Sequence, residues 1–184
     1  MNNRKTTVPA VSAAFCGMAA ALATALMFLT GLMPTATYSL PALAGLVGIV
    51  IVVEIGVRWA WPVYAAVSVL SLLIAPDKEA VTLYILFFGY YPILKALLER
   101  QPRKWLQWLL KFLVFNAAVV LYYWIAIKVL GVPEESFWSF GVVMPVALLV
   151  GGNVVFLLYD YVISGLVRVY WQRLHRTVSR MFHQ

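Results

Sequence analysis

The chain has 184 residues, of which 64% are hydrophobic and only 11% charged, and its mean hydropathy is +0.89. A soluble domain of this size is about half apolar and about a quarter charged, so a water-soluble globule is excluded and a bilayer is the expected solvent. The formal charge of +7 sits beside the apolar runs rather than along a soluble basic stripe. It therefore argues against nucleic-acid binding and for topology signals and contacts with anionic lipid.

Six apolar runs follow one another. The first is expected from Val8 to Met33, after Arg4 and Lys5 and before Pro34. It is long and followed at once by others, so it reads as a retained helix rather than a cleaved signal peptide. It also contains the only cysteine, Cys16, which leaves no intramolecular disulfide to form. The second run covers Tyr38 to Ile55 and the third Ala60 to Ala75. Both are short for a spanning helix, which needs ~20 residues, and the link between them is tight, so a tilted hairpin or a partly re-entrant pair is open. The fourth covers Ala80 to Leu98, the fifth Trp105 to Leu130 and the sixth Phe137 to Val169, which leads into a basic tail. The expected fold is all-α, a single membrane domain of about six helices without a soluble module.

Cations set the expected orientation. Arg4, Lys5, Arg58, Lys95, Arg100, Arg103, Lys104, Lys111, Arg168, Arg173, Arg176 and Arg180 fall on one side, against Lys78 and Lys128 on the other. The positive-inside rule then puts both termini in the cytoplasm. Trp59, Trp61, Trp105, Trp108 and Trp171 fall at the same inner boundaries, and Trp124 and Trp138 near the outer ones, where indole rings prefer the headgroup layer.

Several groups could carry function. In the first helix, Ala13, Gly17, Ala21 and Ala25 recur every four residues, a strip that lets another helix backbone approach closely, within this chain or from a separate subunit. The polar segment Pro34 to Pro41 offers Thr35, Thr37, Tyr38 and Ser39 as a loop or as ligand donors. Asp77 is placed as an N-cap with Glu79 in the first turn, and the neighbouring Lys78 is a possible attractor for an anionic group. The stretch from Leu83 to Pro92 reads LYILFFGYYP. Gly89 and Pro92 should loosen the helix there, and Tyr84, Phe87, Phe88, Tyr90 and Tyr91 form aromatic core or the walls of a pocket for a flat ligand. Asn116 and Asn153 need partners in the hydrocarbon region. Asp160 is either paired at depth or interfacial and reaching headgroup water, with Arg168 two turns away. His175 and His183 are not spaced as metal ligands. No ATPase, zinc-hydrolase or serine-hydrolase motif occurs, so neither catalysis nor a cofactor is expected.

Taken together, the small size, six helices, inward termini, the strip Ala13, Gly17, Ala21 and Ala25, and the stretch APDKEAVTLYILFFGYYPILK resemble the substrate-binding S-component of energy-coupling factor (ECF) transporters. Gly17 departs from that family's Ala-x-x-x-Ala-like motif. The resemblance implies a bacterial plasma-membrane subunit that captures a vitamin or similar micronutrient in an outward pocket formed from Tyr38, Lys78, Tyr84, Phe88, Asn116, Tyr123, Trp138 and Asn153. It further implies docking through the first helix on a transmembrane coupling subunit, toppling to release the ligand inside, and two separate ATPase subunits as the energy source. The rival readings are a small scaffold protein of the cell-shape machinery and a stand-alone secondary transporter, for which Asp160 is the single plausible coupling carboxylate.

Overall fold

The computed structural model describes residues 9–131 and 143–173. These residues form helices joined by short turns and contain no strand. Helix α1 is Pro9–Leu29, α2 Ser39–Glu54 and α3 Val57–Ile74; α4 (Lys78–Leu83), a π-helical turn (Tyr84–Phe88) and α5 (Tyr91–Leu98) form one interrupted helix; α6 is Lys104–Lys128 and α7 Val143–Arg173. Five of these helices are long and apolar enough to cross a membrane, and α2 is a shorter apolar helix of 16 residues, about 24 Å long. The architecture is that of an all-helical, multi-pass membrane protein.

The expected spans and the observed helices differ at their ends. The first helix stops at Leu29, and a short 3-10 turn follows at Pro34–Ala36. The third begins earlier, at Val57, because Gly56 turns the chain with φ of 114°, a left-handed conformation that suits glycine. That single residue explains how so tight a link can reverse direction. The short helix α2 is also the central one. It packs on α1, α3, α5, α7 and the π turn, so neighbouring helices shield much of the surface that its limited length leaves in question.

The break in the fourth span follows from Gly89 and Pro92. Proline cannot donate a backbone hydrogen bond and clashes with the carbonyl four residues back, here that of Phe88. The Gly89 N–H bonds to the Tyr84 carbonyl at 2.8 Å, one residue further than in an α-helix, and Pro92 then sits in the first turn of α5. Neighbours take up the disturbed backbone: the Tyr64 hydroxyl donates to the Ile85 carbonyl at 2.7 Å. Gly45 of α2 lies against the Phe88 carbonyl so closely that a Cβ there would collide with it.

Local chemistry also fixes one end of the bundle. Asp77 caps α4 by accepting from the Ala80 N–H at 3.0 Å, as its sequence position implies, and accepts from the Thr37 hydroxyl at 2.8 Å. One carboxylate thus joins two loops. Gly31 packs against the Pro76 ring with no room for a side chain. The opposite end carries Arg58, Arg100, Arg103 and Lys104 and is called the basic end below.

Candidate functional site

Among the described residues, polar side chains tie α6 to α7 in two places; elsewhere the Tyr170 hydroxyl of α7 donates to Glu54 of α2 at 2.5 Å. The first is a charged cluster near the basic end. Asp160 of α7 is 5% exposed, Lys95 of α5 2% and Lys111 of α6 3%. One Asp160 carboxylate oxygen, Oδ1, lies 2.5 Å from Lys95 Nζ and 3.0 Å from Lys111 Nζ, and it accepts from the Tyr91 hydroxyl at 2.6 Å. Glu99, just past the end of α5, closes the cluster: its Oε1 lies 2.9 Å from Lys95 Nζ and 2.8 Å from Lys111 Nζ. Lys111 also lies over the Trp108 ring, 5.0 Å from its centre. Two ammoniums and two carboxylates make the cluster formally neutral, the condition under which buried charge is tolerable.

Glu99 is the cluster's link to water, with a side chain 44% exposed. Burial pushes its carboxyl up, but the hydrogen bonds and charges of Lys111 and Lys95 outweigh burial and hold it below its ordinary value. Asp160 itself is buried and paired with Lys95 and Lys111 rather than reaching solvent, and Arg168 is not its partner. Lys95 and Lys111, read from the sequence as cations of the inner boundaries, lie within α5 and α6 and are spent on the cluster. The signal that could have found them is a lysine embedded in an apolar helix facing a lone intramembrane aspartate.

The second place is neutral. Asn116 and Asn153 exchange hydrogen bonds, Asn116 Nδ2 to Asn153 Oδ1 at 3.3 Å and Asn153 Nδ2 to Asn116 Oδ1 at 3.1 Å. Each also donates to its own helix, to the Phe112 carbonyl at 2.8 Å and the Leu149 carbonyl at 2.7 Å. The two amides need nothing further from a ligand.

The remaining expected ligand residues are dispersed. Tyr84 is 3% exposed and packs with Met27 and Val67. Phe88 meets the Tyr159 ring edge to face, centroids 5.2 Å apart. Tyr38 is 63% exposed at the start of α2. Lys78 donates to the Leu72 and Ala75 carbonyls at 2.8 and 3.0 Å, closing the C-terminal end of α3. Tyr123 is half-buried on α6, and Trp138 lies outside the described residues. The aromatic residues mostly fill the interior: Phe87 touches Tyr91, Phe115, Phe156 and Tyr159, and Phe115 stacks on Phe156 with centroids 4.8 Å apart. A groove of about 340 Å³ opens between the π turn and α6, lined by Ile85, Leu86, Tyr90, Leu113, Ala117 and Leu121 among others. Among the described residues expected as ligand contacts or pocket walls, Tyr90 alone lines it.

Ala13, Gly17, Ala21 and Ala25 all lie on the exposed face of α1, and a side chain built at Gly17 would meet no atom within 4 Å. The opposite face, with Ser12, Cys16, Ala23 and Met27, is the buried one. Among the described residues no group of three or more His, Cys, Asp or Glu side chains could hold a metal ion.

The fold and these sites define an all-helical protein with several membrane-length helices and a buried ion cluster. No protein-family model matches the chain, and neither a curated protein nor a solved structure matches it.

Proposed function

We propose that this chain is the membrane-embedded substrate-binding subunit of an ECF-type importer in the bacterial plasma membrane. Its cargo is a vitamin or other small micronutrient, and separate ATPase subunits energise it. The observation that carries the reading is the outward small-residue face of α1. Ala13, Gly17, Ala21 and Ala25 are exposed, and they offer a second membrane helix the close backbone approach that gives packing energy in lipid, where apolar burial gives none. The cation bias supports a cytoplasmic basic end with both termini inside, and in this reading the ligand enters at the end that carries Tyr38 and Lys78. Toppling of the whole subunit on the coupling protein would release it.

The test is affinity purification of the full chain in mild detergent. Wild type should bring down a membrane coupling subunit and two ATPase subunits. Gly17→Leu and Ala21→Leu should lose them while leaving the bundle's melting unchanged, because both positions are exposed. Undiminished assembly in these variants would count against the reading.

The scaffold reading is favoured by one observation, the dispersal of the expected ligand residues around an interior filled with rings. In that case cell-shape proteins would co-purify in place of ATPases.

A further inference from the structure

Lys95 and Lys111 come from different helices, yet their ammoniums converge on the same two oxygens. One is Asp160 Oδ1, inside the bundle. The other is Glu99 Oε1, 2.9 Å from Lys95 Nζ and 2.8 Å from Lys111 Nζ. The two lysine side chains are 2% and 4% exposed, the Glu99 side chain 44%. Two buried cations thus share one position that opens to water, and a side chain of the loop fills it. We propose that this position is a binding site for a short monocarboxylate arriving from the basic end, and that Glu99 is the internal carboxylate such a ligand displaces.

The lysines, not the local backbone, hold the Glu99 carboxylate in place. Glu99 caps the C-terminal end of α5, where the helix dipole is negative and disfavours a carboxylate. The loop backbone is fixed by other groups. The Glu99 amide bonds to the Lys95 carbonyl at 2.9 Å, and the Gln107 side chain donates to the Glu99 and Gln101 carbonyls at 3.4 and 2.6 Å. The carboxylate can therefore swing outward while the backbone stays where it is. Arg100, Arg103 and Lys104, all exposed beside it, give the approach a positive potential that concentrates anions.

Charge decides the ligand class. With Glu99 swung out, Lys95, Lys111 and Asp160 leave one positive charge where an imbalance is costly. A monoanion restores neutrality. A doubly charged phosphate would leave a buried negative charge, and a neutral amide would leave the positive one. The donors also fit a carboxylate, since each ammonium carries three N–H groups. Lys95 donates to the carbonyl and to Oδ1 of Asp160, which leaves its third donor for the shared position. Among the described residues, Lys111 has Asp160 Oδ1 and Glu99 Oε1 as its oxygen partners, so one further donor remains for the second oxygen of a free carboxylate. The Trp108 ring, 5.0 Å from Lys111 Nζ at its centre and 42% exposed, gives the site an apolar edge suited to a short alkyl group.

The test uses the full chain in neutral detergent and chloride-free buffer, with carbon-13 acetate as the probe and its binding read from NMR line broadening over a concentration series. Wild type is expected to bind acetate weakly but saturably. E99A removes the tethered competitor and should tighten binding at least ~10-fold, because an internal carboxylate competes at high effective concentration. E99Q keeps the shape of the side chain, should shift binding in the same direction, and carries the comparison should E99A fail to fold. E99A/K111M leaves a single neutral Lys95–Asp160 pair and should abolish binding. Propionate should compete with acetate, and acetamide should not. The site is refuted by a wild type with no saturable binding, by E99A and E99Q binding no tighter than wild type, by binding that persists in E99A/K111M, by displacement with acetamide, or by displacement with chloride as readily as with propionate.

Discussion

Helices α6 and α7 are tied by polar groups at two depths, and the ties differ in kind. Near the basic end, Lys111 meets Asp160 in a cluster that recruits Lys95 and Tyr91 from α5 and Glu99 from the loop. Further from the basic end, the half-buried Asn116 and Asn153 pair with each other and with their own helices. The charged tie joins three helices and cannot lose Lys95, Lys111 or Asp160 without leaving buried charge unbalanced. The neutral one joins two and is complete in itself. The comparison separates two uses of polarity in lipid: ions hold several elements in one arrangement at a high cost of failure, whereas amides add a modest, self-contained contact.

Removing one partner from the charged tie should produce the largest effect. Asp160→Ala leaves two ammoniums with only half-exposed Glu99 between them. It should cost about 3–5 kcal/mol, read as an earlier reaction of the buried Cys16 thiol with a fluorogenic dye during a thermal ramp in detergent. The sharper version replaces the whole set. K95M/K111M/D160L/Y91F removes every buried charge and the Tyr91 hydroxyl together, and should return to within ~1 kcal/mol of wild type. If the fourfold variant is as unstable as Asp160→Ala, the loss lies in packing and the ionic account fails.

The neutral tie should break more gently. Asn116→Leu with Asn153→Leu should cost roughly 0.6 kcal/mol and no more than ~1.7. A loss as large as that of Asp160→Ala would erase the distinction between the two ties.

The smallest effect belongs to the exposed member of the cluster. The Glu99 carboxyl is held below its ordinary value of 4.5. Its contribution is therefore fully present above that value and is lost as pH falls through the depressed one. Partial exposure limits the effect to about 0.3–0.5 kcal/mol, roughly 1 °C in melting temperature. Glu99→Gln should melt lower than wild type near neutral pH, and the gap should close in acid. A gap that is constant with pH would show that the Glu99 charge is not what holds the loop.

Much of the fold could be read from local sequence. The cap at Asp77, the break at Gly89 and Pro92, and the turn between α2 and α3 depend on residues within a few positions of one another, where backbone sterics and first-turn hydrogen bonds decide. The Lys95–Glu99 pair is also local, one helical turn apart. The partnership of Lys95 and Lys111 with Asp160 was not legible, because it joins α5, α6 and α7 across long stretches of chain. Asn116 and Asn153 were recognised as needing partners, but nothing in the sequence matched them to each other. Lys78 was read as a possible anion attractor, yet it closes the end of α3, a use that depends on how the chain turns at Pro76.

The sequence by itself determined the solvent, the number of apolar segments, the break at Gly89 and Pro92 and, to within several residues, where helices begin and end. Each of these follows from hydropathy summed over a helix length or from a few adjacent residues. Only the tertiary structure decided which face of each helix turns inward and which polar groups meet. In water an apolar stripe marks the buried side of a helix, but in lipid the outward face is apolar as well. Periodicity then loses its directional signal, and packing alone chooses the rotation that brings Asp160 to two lysines and leaves Gly17 outside.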